Sequence, residues 1–243
     1  MSGNVISGTF QPTGNGWGGF GIEVAESNYN CIVENTIVNN TEFGIQLAGS
    51  SNTIQDNFLS GNGDYGIQAN ATWDEEHQEI ISSNPGNRII GNRIFDTVPA
   101  NWEGGYGYGI NLGAGITETY IGNNIIANNR KGINLWQVSS NTIESNTVYN
   151  NEWYGICLNV NSYDNTVLDN VVHDNGYCGI VVAANADRNT ILGNEVYNTY
   201  SSGEGWVRGV GIYSGGGDCG ELNDNNTFSN NYVHDNAFGI MVT

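Results

Sequence analysis

Arg130 and Lys131 are the only adjacent pair of basic residues in a sequence that has 6 Lys and Arg against 25 Asp and Glu. Asn134 and Trp136 follow them closely. A cationic pair of this kind can neutralise a carboxylate, which allows a base to remove a proton from the neighbouring carbon. The candidate bases are His77, Tyr106 and Tyr108. The alternative interpretation is a solvated turn that offsets the acidic charge around it.

Paired carboxylates would support a different reaction, the hydrolysis of a glycosidic bond, for which they must lie roughly 5–10 Å apart across the sugar. Glu103 and Glu152 could form such a pair, and so could Glu23 together with an acid from a loop. A chain with 25 acidic residues offers many pairs of this kind, so the pattern does not select one of them.

Metal chemistry is indicated only weakly. Asp218, Glu221 and Asp224 follow a run of glycines and could hold Ca²⁺ in a loop, although no cofactor is required. The 4 Cys lack metal-ligand spacing and are predicted to be free thiols. His173 and His234 are predicted to stand two strands apart, about 9–10 Å, which is too far for both to bind one ion.

A repeat must position these residues. Residues 141–164 and 165–188 are two copies of one pattern, NTIESNTVYNNEWYGICLNVNSYD and NTVLDNVVHDNGYCGIVVAANADR. A fixed period in this range is typical of a solenoid, in which each repeat is one turn of a coil. The apolar residues alternate as they do in strands, and Asn and Gly separate the strands. The sequence therefore predicts an all-β fold, a parallel β-helix with three short strands per turn.

Two markers align the whole chain into about nine turns. One is a corner Asn, which tolerates the left-handed conformation and can form a hydrogen-bonded ladder along the coil axis. The corner residues are Asn4, Asn35, Asn57, Asn92, Asn124, Asn146, Asn170, Asn194 and Asn231. The other is a Gly-Ile strand, which begins at Gly21, Gly44, Gly66, Gly109, Gly132, Gly155, Gly179, Gly211 and Gly239.

Residues 1–243 are accordingly predicted to form a single β-helix domain about 43 Å long. Neither end shows a capping helix, although open sheet ends need a cover. The chain is therefore expected to be a segment of a longer protein or a unit that stacks end to end.

Four insertions interrupt the repeat and are predicted to carry binding residues, because binding loops are usually grafted on a regular scaffold. Residues 11–19, 98–108 and 200–210 precede a Gly-Ile strand, and residues 71–86 follow one. Each insertion contains one Trp; these are Trp17, Trp73, Trp102 and Trp206.

Between the inward Ile and Leu of a Gly-Ile strand, one side chain points outward. This outward row is Glu23, Gln46, Gln68, Asn111, Asn134, Cys157, Val181, Tyr213 and Met241. Amide groups beside aromatic faces suit sugar rings, whereas an ordinary polar strand surface is the alternative. The candidate sugar-binding residues are Trp136, Asn134, Asn111, Gln68, Gln46, Trp102, Trp153 and Tyr108.

The net charge of −19 repels nucleic acid and anionic membranes, so neither is an expected partner. The sequence has no apolar run long enough to cross a membrane and no signal peptide at Met1. The acidic surface that this net charge implies suits an extracellular or cell-surface protein.

The repeat N-x-I-x-x-N-x-(I/V)…G-I-x-L resembles the right-handed parallel β-helix repeats of the pectate-lyase superfamily, especially those of NosD-like periplasmic proteins and mannuronan C5-epimerases. The resemblance covers essentially the whole chain and implies a right-handed coil with substrate along the outer face of the Gly-Ile sheet. The epimerase pattern Tyr-Gly-x-Asp-Pro-His is only partly met, because Tyr154-Gly155-Ile156 is followed by Cys157-Leu158-Asn159. The polygalacturonase patterns Asn-Thr-Asp and Arg-Ile-Lys are absent from the sequence.

Two functional hypotheses follow. The first is an extracellular carbohydrate-active β-helix that binds a polysaccharide along the Gly-Ile sheet and cleaves or epimerises it, as a lyase, a hydrolase or a uronate epimerase. In that case Arg130 and Lys131 would neutralise the uronate carboxylate. The second is a non-catalytic surface or adhesin segment that assembles end to end. The Trp-bearing insertions favour the first, and the incomplete catalytic patterns favour the second.

Overall fold

The computed structural model describes residues 1–10, 18–74, 76, 79–99, 106–200, 209–216 and 223–243. The described residues contain no helix. Their 28 strands, numbered in chain order, form three parallel sheets and one hairpin. No helix in this part of the chain is long and apolar enough to span a membrane.

Sheet 1 has nine strands. They are β1 (Val5–Ser7), β4 (Thr36–Val38), β7 (Phe58–Ser60), β12 (Arg93–Phe95), β15 (Ile125–Ala127), β18 (Thr147–Tyr149), β21 (Val171–His173), β24 (Glu195–Tyr197) and β27 (Tyr232–His234).

The Gly-Ile sheet also has nine strands. They are β2 (Ile22–Val24), β5 (Phe43–Ala48), β8 (Tyr65–Asn70), β13 (Tyr108–Leu112), β16 (Lys131–Trp136), β19 (Tyr154–Asn159), β22 (Cys178–Ala183), β25 (Val210–Gly215) and β28 (Phe238–Val242).

Sheet 3 has eight strands. They are β3 (Cys31–Val33), β6 (Thr53–Gln55), β11 (Arg88–Ile90), β14 (Tyr120–Gly122), β17 (Thr142–Glu144), β20 (Thr166–Leu168), β23 (Thr190–Leu192) and β26 (Thr227–Ser229). Each full turn contributes one strand to each sheet, which confirms the predicted parallel β-helix. The antiparallel hairpin of β9 (Thr72–Asp74) and β10 (Glu79–Ser82) lies inside the predicted insertion 71–86.

A column of aliphatic side chains fills the coil, as the alternation predicts. Ile133 and Leu135 of β16 and Val148 of β18 are completely buried, and equivalent residues recur in almost every turn. Each side chain of this size contributes about 1.5–3 kcal/mol when it is removed from water. Stacking of successive turns therefore supplies the main stabilisation of the fold.

The predicted Asn ladder is present. Asn124 Nδ2 donates to Asn146 Oδ1 at 2.9 Å, and Asn146 Nδ2 donates to Asn170 Oδ1 at 2.9 Å. The left-handed conformation, however, belongs to the residue before the corner Asn, such as Ser145 with φ of 56°. The prediction that the Asn itself adopts this conformation is wrong, because the Asn must direct its amide into the coil to bond the next turn.

Two further ladders occupy the other two corners, as the prediction of ladders at the corners requires, but their Asn residues are not among the predicted corner positions. Asn141 Nδ2 donates to Asn165 Oδ1 at 3.0 Å, and Asn151 Nδ2 donates to Asn175 Oδ1 at 3.0 Å. The signal in the sequence is the five-residue spacing of Asn141, Asn146 and Asn151, one for each corner of the turn.

The glycine of each Gly-Ile strand is required by close packing of neighbouring turns. A Cβ atom on Gly132 would overlap Val148 Cγ1 and lie 2.6 Å from the carbonyl oxygen of Gly155. Gly132 and Ile133 both face the core, so the strand bends between them. This bend turns the preceding residue, Lys131, to the outer face of the sheet.

Replacing Gly132 with Ala is expected to lower the free energy of unfolding by about 1–3 kcal/mol, because the added methyl group would displace the backbone of the next turn. Urea denaturation of the variant measures this loss. Gly239→Ala is the matched control, since nothing lies within 4 Å of a Cβ there. An equal loss in both variants would contradict the packing argument.

Candidate functional site

A cleft of about 740 Å³ lies on the outer face of the Gly-Ile sheet. Its lining residues come from the successive strands β5, β8, β13, β16 and β19, so the cleft runs along the coil axis. The hairpin of β9 and β10 contributes Thr72 and Ile80 to the lining. The structure brings together six of the eight candidate sugar-binding residues here, namely Gln46, Gln68, Tyr108, Asn111, Asn134 and Trp136.

The amides of the outward row form the floor of the cleft. Gln68, Asn111 and Asn134 are each less than 8 % exposed, so they are more enclosed than an ordinary strand surface. Asn134 Nδ2 donates to Asn111 Oδ1 at 2.6 Å, and Asn111 Nδ2 donates to Gln68 Oε1 at 2.7 Å. Gln68 Nε2 in turn donates to Asn70 Oδ1. These bonds hold each amide in one orientation and leave part of its hydrogen-bonding capacity for a ligand.

Gln46 extends the same row toward the N-terminal end of the cleft, where it is in register with Gln68. Its Oε1 atom is buried and has no hydrogen-bond partner in the described structure. An unsatisfied buried acceptor costs about 1–3 kcal/mol. A hydroxyl group that donates a hydrogen bond would relieve this cost once the terminal amide turns toward it.

Lys131 is the cation of the cleft. It is 6 % exposed, and its Nζ atom donates to Asn134 Oδ1 at 2.9 Å. The Nζ atom lies 4.7 Å from the centroid of the Tyr108 ring and 5.6 Å from that of Tyr154. Among the described residues no carboxylate forms an ion pair with Lys131. A buried charge without a counter-ion is costly, so an anionic group is the natural complement of this position.

Lys131 lies within a row of residues that are otherwise aromatic, and this row is not among the predictions from the sequence. Phe43, Tyr65, Tyr108, Lys131 and Tyr154 occupy the same register position in successive strands. The rings of Phe43 and Tyr65 are 5.2 Å apart, and those of Tyr65 and Tyr108 are 5.8 Å apart. The signal in the sequence is the residue immediately before each Gly of a Gly-Ile strand. At that position Lys131 stands where neighbouring turns have an aromatic ring.

Tyr108 keeps its proton at neutral pH. Burial raises the pKa of its hydroxyl, and the nearby charge of Lys131 only partly opposes this effect. A protonated phenol can donate a proton but is a poor base, so Tyr108 suits the role of an acid. Tyr106, the other candidate tyrosine, also lines the cleft, and its backbone N–H donates to Asp64 Oδ1 at 3.0 Å.

The structure separates Arg130 from Lys131. The guanidinium Cζ of Arg130 lies 3.6 Å from the ring centroid of Trp153, and neither residue is part of the cleft lining. Glu152 is exposed and also lies outside the cleft lining. The three residues form a separate surface at the corner before the Gly-Ile sheet.

His77, Trp102, Glu103, Asp218 and Glu221 lie outside the described residues. Of the Ca²⁺ candidates, Asp224 alone is described, and its backbone N–H donates to Asp187 Oδ1 at 2.7 Å. No group of three or more His, Cys, Asp or Glu side chains in the described ranges could hold a metal ion. Cys31 and Cys157 are free thiols, as predicted.

The histidine row lies on sheet 1, away from the cleft. His173 and His234 stand on either side of Tyr197, with ring centroids 4.8 and 5.0 Å from it. They are therefore two strands apart, as predicted. Nδ1 of His234 lies 2.7 Å from Asp235 Oδ2.

Asp235→Asn is expected to lower the pKa of His234, since the hydrogen bond to Asp235 is the main cause that raises this pKa above 6.5. A raised pKa in the folded state stabilises the protein below pH 6.5, and the contribution is lost as the pH rises through the folded-state value. NMR titration of the imidazole measures the pKa. The same pKa in both proteins would contradict this assignment of the hydrogen bond.

A family model described as "Right handed beta helix region" matches residues 1–115 and 81–219. No curated protein sequence matches the chain significantly. Similar folds do occur among solved structures. The mannuronan C-5 epimerase A-module from Azotobacter vinelandii aligns with a TM-score of 0.65 and 14 % identity, over 88 % of this chain and 54 % of its own.

Two other solved structures show the same degree of similarity. The periplasmic alginate epimerase AlgG has a TM-score of 0.63 and 17 % identity, over 88 % of this chain and 50 % of its own. The Dettilon tailspike protein has a TM-score of 0.58 and 18 % identity, over 89 % of this chain and 48 % of its own. The chain thus spans about half the length of these proteins, and at such low identity the similarity concerns the fold alone.

Proposed function

The chain belongs to the right-handed β-helix family, and from that premise we propose that it is a carbohydrate-active protein that binds a polysaccharide along the Gly-Ile sheet. The observation that carries this proposal is that the amide floor, Trp136 and the buried Lys131 all line the same cleft. Amides can bond sugar hydroxyls, and aromatic faces pack against sugar rings. Structural neighbours that include two epimerases of polysaccharides support the proposal.

The bound polysaccharide contains a uronate whose carboxylate lies against Lys131. A carboxylate there would form a charge-assisted hydrogen bond in a site that is screened from water. It would also supply the counter-charge that Lys131 lacks among the described residues. A uronate-containing polysaccharide as partner and the protein's net charge of −19 suit an extracellular location.

The reaction that fits this cleft is removal of the proton beside the carboxylate, as in a lyase or an epimerase. Tyr106 of the lining would accept this proton as the base, and Lys131 would stabilise the negative charge that develops on the carboxylate. Tyr108 would then donate a proton, to the departing glycosidic oxygen in a lyase or to the opposite face of the same carbon in an epimerase. Hydrolysis fits less well, because it needs two carboxylates and the described lining contains only Glu26.

A glycan-array binding screen tests the proposal, and the glycans that bind are then incubated with the protein with and without EDTA. An unsaturated product seen by ultraviolet absorbance identifies a lyase, new reducing ends alone identify a hydrolase, and an NMR change in the uronate identifies an epimerase. Binding without turnover leaves a recognition module. Failure to bind any glycan would overturn the proposal and favour a structural segment that assembles end to end.

Trp136→Ala is expected to weaken binding of such a glycan by about tenfold, because the ring lies in the cleft lining and is 42 % exposed. The free energy of unfolding should change by less than about 0.5 kcal/mol. Tyr163→Ala is the control, since Tyr163 is 43 % exposed and is not in the cleft lining. Unchanged affinity in the Trp136 variant would remove this residue from the site.

A further inference from the structure

The described cations are too few, and too widely placed, to neutralise an acidic polysaccharide at every sugar. The sequence has 6 Lys and Arg, of which only Arg208 lies outside the described residues. Lys131 is the one described cation in the cleft lining. The other four lie elsewhere: Arg88 on sheet 3, Arg93 on sheet 1, Arg188 in an ion pair with Asp164, and Arg130 on the ring of Trp153.

The N-terminal part of the cleft contains a carboxylate and no described cation. Glu26 adds a carboxylate to the lining there, and Gln46 adds a neutral amide. The carboxylate of Glu26 would repel the carboxylate of a bound sugar and attract a hydroxyl donor. Between these two residues and Lys131 lie Gln68 and Asn111, which are neutral.

The distance between the two ends is long enough to hold several sugars. Lys131 is on β16 and Gln46 on β5, with β8 and β13 between them. Three strand spacings amount to about 14 Å, or roughly three sugar residues of an extended chain. A polysaccharide bound along the axis therefore meets one positive position and then a neutral to negative stretch.

We propose that this cleft selects a segment in which one uronate, held by Lys131, is followed toward Gln46 by uncharged sugars. The inference rests on the proposed polysaccharide binding and specifies its substrate class, an acidic heteropolysaccharide. A homopolyuronate is disfavoured, because one of its further carboxylates would face Glu26 and none of them would meet a second described cation.

Calorimetric titration with defined tetrasaccharides tests this selectivity. The probes are a β-linked tetrasaccharide with one glucuronate, placed at either end, its carboxyl-reduced neutral form, and a tetrauronate. The better of the two single-uronate probes is expected to bind about tenfold tighter than the neutral form and about tenfold tighter than the tetrauronate.

Glu26→Gln provides a second readout, since it removes the repelling carboxylate at an exposed position. The affinity for the tetrauronate, relative to that for the single-uronate probe, is expected to rise about two- to fivefold. Glu152→Gln removes the same charge outside the cleft and should leave this ratio unchanged.

The possible failures can be distinguished. A tetrauronate that binds as tightly as the single-uronate probes would overturn the inference and leave polysaccharide binding in place. An unchanged ratio in Glu26→Gln would also overturn it. If no probe binds and the glycan array is likewise negative, polysaccharide binding itself is overturned, and the inference with it.

Discussion

Replacement of Lys131 with Met is expected to lower the affinity for a uronate-containing oligosaccharide by about 100-fold. The loss of a buried charged partner typically costs 2–5 kcal/mol, and each 1.4 kcal/mol corresponds to about a factor of ten. Met retains most of the apolar stem that packs near Tyr108, so the fold is expected to persist. Affinity for the carboxyl-reduced oligosaccharide should change much less, because that ligand carries no charge.

Arg130→Gln is a closely matched control for this variant. It removes the same charge from the adjacent residue, whose guanidinium lies on Trp153 and outside the cleft lining. Titration of both variants with the same oligosaccharide separates a local contact from a general effect of net charge. Equal losses in the two variants, or none in the Lys131 variant, would contradict a carboxylate position at Lys131.

Replacement of Asn146 with Ala is expected to lower the free energy of unfolding by about 3 kcal/mol or more. One lost buried hydrogen bond would cost about 1–2 kcal/mol. The ladder makes the loss larger, because Asn146 Oδ1 accepts from both the backbone and the side chain of Asn124. Asn146 Nδ2 also donates to the backbone carbonyls of Ile121 and Glu144.

Urea denaturation of Asn146→Ala measures this loss. Thr147→Ala is the control, since Thr147 is the next residue but lies half-buried on the outer face of sheet 1. The control is expected to cost less than about 1 kcal/mol. A loss in Asn146→Ala no greater than in the control would show that neighbouring turns satisfy their polar groups without the ladder.

The sequence by itself determined the coil and its interior. Every turn repeats the same residue types, so each position of the pattern makes the same contact with the turns on either side. The inward column that includes Val148 and the ladder through Asn146 follow from this periodicity. The amide row could be predicted for the same reason, because the residue between the inward Ile and Leu of each Gly-Ile strand must face outward.

The tertiary structure decided which side chains share the site. Lys131 and Arg130 are adjacent in sequence, but Lys131 lies in the cleft, whereas Arg130 lies on the ring of Trp153 and outside the cleft lining. Lys131 instead meets Tyr108 and Tyr154 of neighbouring turns. Periodicity predicts which face a residue occupies. The contacts and the burial of its side chain depend on local bends of the strand and on residues of the insertions that line the cleft. Both are set by the packing of one turn on the next, which periodicity does not specify.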